Sequence, residues 1–209
     1  MARKRKAIDY INELCTSKSE RRRTLGETLK AQYERWMKTL ALEDFLKFNE
    51  TIMANKTEIG AAQFFGKFRA YAFEEYVYRL LKAKIHFKKP LEIFWAEKCL
   101  VWRGEDVNYA MEFDVLIGVK KGKFVDPKVV LDAKVELDSS RLKTAIASFV
   151  MLKQWKPWVK CAVVYVKREL DDSLLRLAEN WVDGIFQFNL QNSEAGLFLD
   201  SIAKWLSIC

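Results

Sequence analysis

The chain has 209 residues, 50% hydrophobic and 31% charged, with a formal net charge of +8 and a single histidine, His86. That composition excludes a disordered chain, and no apolar run approaches the roughly 20 residues of a spanning helix; the longest, Ala145–Leu152, is broken at Ser148. One histidine and four scattered cysteines, Cys15, Cys99, Cys161 and Cys209, offer no CxxC or Cys/His spacing for zinc or an iron–sulfur cluster, so any catalysis is expected to rest on carboxylates and lysines.

Residues 1–57 read as helices. Ala7–Cys15 is a short amphipathic piece, Ser19 can cap a longer helix running to about Leu40, and Leu42–Met53 has apolar faces from Phe45, Leu46, Phe48, Ile52 and Met53. A turn-like break at Asn55–Gly60 precedes a long helix, Ala61 to about Lys84. The period then changes to that of strands: Glu92–Arg103, Asn108–Val119 and Lys128–Leu137, with Pro90 before the first and Pro127 opening the third. Ser139 or Ser140 can cap a helix to about Trp155. Cys161–Lys167 reads as a strand buried on both faces, followed by helix Asp171–Trp181, strand Ile185–Asn189 and a closing amphipathic helix, Glu194–Leu206. The order α-βββ-α-β-α-β-α predicts an α/β domain over 58–209, a mixed sheet flanked by helices, with a basic helical extension over 1–57.

Charged residues inside apolar strands single out the candidate site. Asp114 lies within Ala110–Ile117, and Asp132 and Lys134 within Val129–Val135, all otherwise apolar. Strand side chains alternate, so Asp132 and Lys134 project from one face about 7 Å apart. A charge in such a strand is costly unless it is paired or holds a metal. Two carboxylates on adjacent strands near a lysine suit a hard cation such as Mg²⁺, with the lysine holding or helping to deprotonate a bound water. The acid-x-Lys string alone carries little weight, since about three are expected by chance. The other instance, Asp126-Pro127-Lys128, follows a turn and reads as the opening of the strand. On the long helix, Glu74 shares a face with Ala70, Val77 and Leu81 and points toward the core. Glu75, with Tyr71, Arg79 and Lys82, falls on the wetter side.

Charge is unevenly spread. Residues 1–40 carry eleven bases and five acids, whereas 169–209 carry two bases and seven acids. A polyanion is therefore expected to meet the N-terminal helices, through Arg21, Arg22, Arg23 and Lys30, and the start of the helix after the third strand, through Arg141 and Lys143. Trp36, Trp95, Trp102, Trp155 and Trp158 are candidates for base stacking, with core packing the ordinary alternative. In the closing helix, Ala195, Phe198, Leu199, Ile202, Ala203 and Leu206 form one side, read as core or as a homodimer seam. The basic N-terminus is interrupted by Asp9, Asn12 and Glu13, unlike a secretory signal, and the thiols fit an intracellular, cytoplasmic protein with no membrane partner.

The series formed by Phe73-Glu74 on a helix with Leu80-Leu81 behind it, a strand with Asp114, and then Asp132-Ala133-Lys134 on the next strand resembles the PD-(D/E)xK nuclease superfamily. The likeness covers about residues 60–190 and is nearest to archaeal Holliday-junction resolvases. It departs at the leading proline, where Phe113 stands. The resemblance implies a restriction-endonuclease-like fold and Mg²⁺-dependent DNA endonuclease activity, Mn²⁺ being a possible substitute. It makes Glu74, Asp114, Asp132 and Lys134 the catalytic set. Asp114, Asp132, the Ala133 carbonyl and Glu74 would be the metal ligands, and Glu136 a rim charge. A type II restriction endonuclease, or a catalytically silent DNA-binding protein on the same fold, are the competing expectations.

Overall fold

The computed structural model describes residues 5–191 and 193–207; Arg3, Lys4 and Cys209 lie outside the described residues. The chain forms two compact units, Met1–Leu80 and Leu81–Cys209.

The first unit is helical: α1 (Ala7–Cys15), α2 (Glu20–Thr39), α3 (Leu42–Ala54), the short α4 (Lys56–Ile59) and most of α5 (Ala62–Lys84). Its core is aromatic. Trp36 is fully buried and packs edge-on against Tyr33, Phe45 and Tyr76, while Tyr10 stacks on Phe68 at 5.2 Å. Each such side chain contributes roughly 1.5–3 kcal/mol on burial, which makes Trp36 a core residue and removes it from the base-stacking candidates. Gly26 lets α1 approach α2, since a Cβ there would lie 2.6 Å from the Cys15 nitrogen. Ser19 occupies the expected position before α2 but makes no side-chain capping bond.

Glu75 departs from expectation. The helical wheel put it on the wetter side, yet it is completely buried: it accepts from the Tyr33 hydroxyl at 3.0 Å and pairs with Arg79 at 2.7 Å. The wheel counted Arg79 and Lys82 as solvent markers. Arg79 instead reaches inward with its guanidinium while remaining one-third exposed.

The second unit carries a five-stranded mixed sheet in the order β1-β2-β3-β4-β5: β1 (Glu92–Arg103), β2 (Asn108–Lys121), β3 (Phe124–Asp138), β4 (Lys160–Glu169) and β5 (Gly184–Gln187). The first three strands form an antiparallel meander. β3, β4 and β5 run parallel, joined through α6 (Ser139–Trp155) and α7 (Asp172–Ala178), with α8 (Ala195–Ser207) closing the unit. Leu142, Ala145, Phe149 and Leu152 of α6 pack on Phe113, Val130, Cys161 and Val163. Phe198 of α8 meets Phe186 and Phe188, each at 5.4 Å, so Phe198 and the buried Ile202 are spent on the core of their own unit. Cys161–Tyr165 is buried throughout, as expected for a strand covered on both faces.

Two boundaries moved for identifiable reasons. β3 begins at Phe124, so Pro127 lies inside the strand rather than opening it. The register shifts between Ile117 and Gly118 opposite Pro127, and this bulge accommodates the missing N–H. Gly118 is required there, because a Cβ would meet the Asp126 carbonyl oxygen at 2.2 Å. The cap of α6 is Asp138, whose side chain accepts from the Arg141 N–H at 2.8 Å; Ser139 and Ser140 are already helical. No described helix is long and apolar enough to cross a membrane.

Candidate active site

The β2–β3 ladder runs through Ile117–Val129, Leu116–Val130 and Val115–Leu131, and Val115–Leu131 is its last registered pair. One step further Asp114 faces Asp132. There the backbone bond is replaced by a side chain: the Asp114 carboxylate accepts the Ala133 N–H at 2.8 Å. On its other flank, β1 pairs Trp95 with Val115 and Glu97 with Phe113. Between them Ala96 takes a left-handed φ of +51°, an uncommon conformation for alanine. Asp114 therefore sits where both neighbouring ladders are interrupted, and its carboxylate is free to face Asp132 and Lys134.

Lys134 joins the two acids. Its ammonium lies 3.3 Å from Oδ2 of Asp114 and forms an ion pair with Oδ1 of Asp132. The side chains of Asp132, Asp114 and Lys134 are 18%, 21% and 27% exposed, which leaves the cluster open on one side. Burial, and next the Asp114 carboxylate, push Asp132 up to about 6 against the pull of Lys134. Burial alone would lower Lys134, but Asp132 and Asp114 outweigh it and hold the lysine above its ordinary value. Two carboxylates thus share one cation, and the deficit of positive charge falls on Asp132.

This donor set fits a hard divalent cation. All its atoms are oxygens, and the buried Oδ1 of Asp132 lacks a well-directed hydrogen bond beyond its ion pair with Lys134. The Ala133 N–H points toward β2, and in extended backbone the carbonyl of the same residue points to the same edge, into the opening between the strands. Among the described residues no three His, Cys, Asp or Glu side chains gather around one point. Two carboxylates, a carbonyl and water ligands match the sparse protein coordination of Mg²⁺ rather than a closed zinc site.

Beyond this centre, Arg141 donates to the Glu136 carbonyl at 3.0 Å and pairs with Asp138 at 3.1 Å and Glu136 at 3.6 Å. Its guanidinium is largely committed to the end of β3, while Lys143 is exposed. The part played by Asp138, both helix cap and Arg141 partner, was missed by sequence reasoning; an Asp three residues before an Arg at a strand-to-helix junction was its available signal. Glu74 lies on α5 in the first unit and is buried. On α2, Arg21 and Lys30 are exposed. Arg22 reaches the Ile59 carbonyl at 3.4 Å, and Arg23 the Ser17 and Lys18 carbonyls at 3.1 and 3.0 Å. His86 is exposed and lies in the connection between α5 and β1, on neither of the strands that carry the acids and the lysine.

No protein-family model matches the sequence, and no curated protein matches it. Among solved structures, a chain of the native BbvCI A2B2 tetramer is similar, with a TM-score of 0.55 and 13% identity over 87% of this chain and 86% of that one. The fold of this chain is the restriction-endonuclease-like one expected, a mixed five-stranded sheet flanked by helices.

Proposed function

We propose that this chain is a metal-dependent nuclease that hydrolyses phosphodiester bonds of DNA. The observation that carries the reading is the meeting of Asp114, Asp132 and Lys134 at the opening of the β2–β3 ladder, on a restriction-endonuclease-like fold. Asp114, Asp132 and the Ala133 carbonyl would hold Mg²⁺, which when bound offsets the negative charge that builds on the phosphate. The chain's own residues do the rest. Lys134 remains an ammonium, so it donates to the attacking water or a phosphate oxygen and orients it, rather than taking its proton. Asp114, held by the Ala133 N–H, fixes the distance between the strands. Glu74 belongs to the set by resemblance, and Glu74→Gln is its separate test.

The likeness to a BbvCI chain supports a sequence-specific restriction-type endonuclease as well as the motif order supports a junction resolvase. Paired cuts in a duplex would call for two such sites and hence an oligomer. The deciding experiment incubates the protein with Mg²⁺ on plasmid duplex and on a four-way junction, beside Asp132→Ala and Lys134→Ala. Discrete plasmid fragments identify sequence-specific cleavage; a cut junction with intact duplex identifies structure-specific cleavage. Activity unchanged in both variants would sink the proposed site.

A further inference from the structure

A second surface of the second unit combines features that the acid–lysine centre does not use. Trp155 and Trp158, at and just beyond the end of α6, are 56% and 62% exposed, and Trp102 near the end of β1 is 37% exposed. Trp102 and Trp155 lie with ring centroids 6.4 Å apart. Beside them is a cavity of about 150 Å³, walled by Leu100, Phe124 and Val125 and rimmed by Arg103, Lys121, Asp126 and Lys156. Lys156 connects the two features, because its ammonium also lies 5.7 Å from the Trp158 ring. Lys123 stands over Phe124 at 5.2 Å.

Exposing this much indole to water is unfavourable, and such a patch marks an interaction site. Its charge indicates the partner. Arg103, Lys121 and Lys156 line the cavity with one acid, Asp126; beside it in sequence stand the exposed Lys123 and, in the turn after Trp102, the exposed Glu105 and Asp106. Asp126 has one oxygen on Lys121 and the other on Lys156, each at 2.7 Å, so it holds these lysines at the rim of the cavity. Cations spaced among exposed aromatic faces are the pattern that follows a sugar–phosphate backbone while bases stack. Bases offer their faces only when unpaired, which selects a single strand over a duplex.

We propose that this cleft and its indoles bind single-stranded nucleic acid, an unstacked base lying in the cleft or on Trp155 or Trp158 while phosphates meet Arg103, Lys121 and Lys156. Such a contact lies outside the acid–lysine centre and would hold an unpaired segment of the substrate. The inference takes its ligand class from the nuclease reading, but its test involves no cleavage.

The test is fluorescence anisotropy in EDTA with the full chain and three labelled probes: oligo-dT, an abasic oligomer of the same length, and a duplex. Trp155→Ala/Trp158→Ala should weaken oligo-dT binding about ten-fold or more while leaving the abasic and duplex probes within about two-fold. Trp155→Phe/Trp158→Phe, which keeps flat rings, should recover most of the loss and guards against a folding defect. Arg103→Glu/Lys121→Glu should weaken oligo-dT and abasic probes alike. Unchanged oligo-dT affinity in the alanine variant overturns the proposal, as does an equal loss on the abasic probe. So does sedimentation showing that the alanine variant breaks a dimer while oligo-dT affinity is retained, which would make the patch a contact between copies. If DNA cleavage is never found but oligo-dT binding behaves as stated, the nuclease reading fails and this one stands.

Discussion

Asp132→Asn should gain stability relative to wild type as pH rises toward and past neutrality in the metal-free protein, and on the proposed nuclease reading it should lose cleavage. In the folded chain Asp132 is pushed up to about 6 from an ordinary value of 3.8, because burial and Asp114 disfavour its charged form more than Lys134 favours it. The sign follows from linkage. A carboxyl whose pKa is higher folded than unfolded contributes stability that is fully present below the unfolded value and lost as pH rises through the folded one. The whole difference corresponds to a few kcal/mol, and roughly half of it is lost between about pH 5 and about pH 8. Asparagine carries no charge to desolvate. Relative to wild type, Asp132→Asn should therefore gain on the order of 1 kcal/mol over that interval, whatever constant offset its amide introduces. The measurement is urea unfolding of both proteins in EDTA at the two pH values, with a carbon-13 carboxyl titration of wild type to assign the group. A stability difference independent of pH, or one that moves against the variant as pH rises, would refute the reasoning. Adding Mg²⁺ at neutral pH should then stabilise wild type and leave Asp132→Asn unmoved, since only a ligand bound to the folded state shifts the equilibrium.

Three further outcomes follow from the packing. Arg79→Met should cost about 3–5 kcal/mol because it strands the fully buried Glu75 carboxylate, whereas Glu75→Gln should cost less, its amide still able to meet the Tyr33 hydroxyl; urea unfolding with the reverse order would contradict the assignment. Gly118→Ala should destabilise by about 1–3 kcal/mol, because its Cβ would press on the Asp126 carbonyl and the Pro127 Cα, backbone atoms that cannot rotate away; a neutral result in the same assay would mean the β2–β3 bulge is not as described. Asp183 accepts from Lys153 at 2.5 Å, Lys160 at 2.8 Å and the Cys161 N–H at 2.9 Å. Burial works against these bonds, but they hold its pKa below the ordinary value, so its stabilisation is present above about pH 4 and lost as pH falls through the folded pKa. Asp183→Asn should cost about 1–3 kcal/mol at neutral pH, with the difference shrinking in acid.

The strand acids were legible because β-strands alternate and the cost of a buried charge is general. An Asp between Phe113 and Val115, and another between Leu131 and Ala133, need a reason wherever they occur. The order of strands and helices was legible for the same cause, since hydrophobic period survives without tertiary context. Polar networks formed by tertiary packing were not. Glu75 looked solvated because its helical neighbours Arg79 and Lys82 are basic. Its other partner besides Arg79, Tyr33, is 42 residues away, and no periodicity reports such a contact. Pro127 was misplaced because a proline reads as a boundary, and only the pairing with Gly118 shows that the strand passes through it on a bulge. Ala96 has no sequence signal at all, since a left-handed alanine is imposed by the strands around it.

That alanine and the Ala133 N–H together explain why the acids meet as they do. A continuous antiparallel ladder would tie β2 to β3 through backbone bonds at residue 133 and leave Asp114 no route to a backbone donor. The sheet instead gives up regular pairing beside Asp114 on both flanks, takes a strained φ at Ala96, and returns one of the lost bonds through the Asp114 carboxylate. The same opening turns the Ala133 carbonyl toward the space that Asp132 faces. These are unfavourable choices for stability, as is placing two carboxylates on one lysine, and the surrounding ladder of Val115, Leu116, Val129, Val130, Leu131 and Val163, all fully buried, is what tolerates them. A local cost concentrated at three charged residues, inside the best-packed part of the sheet, is the signature expected of a site kept for chemistry rather than for folding.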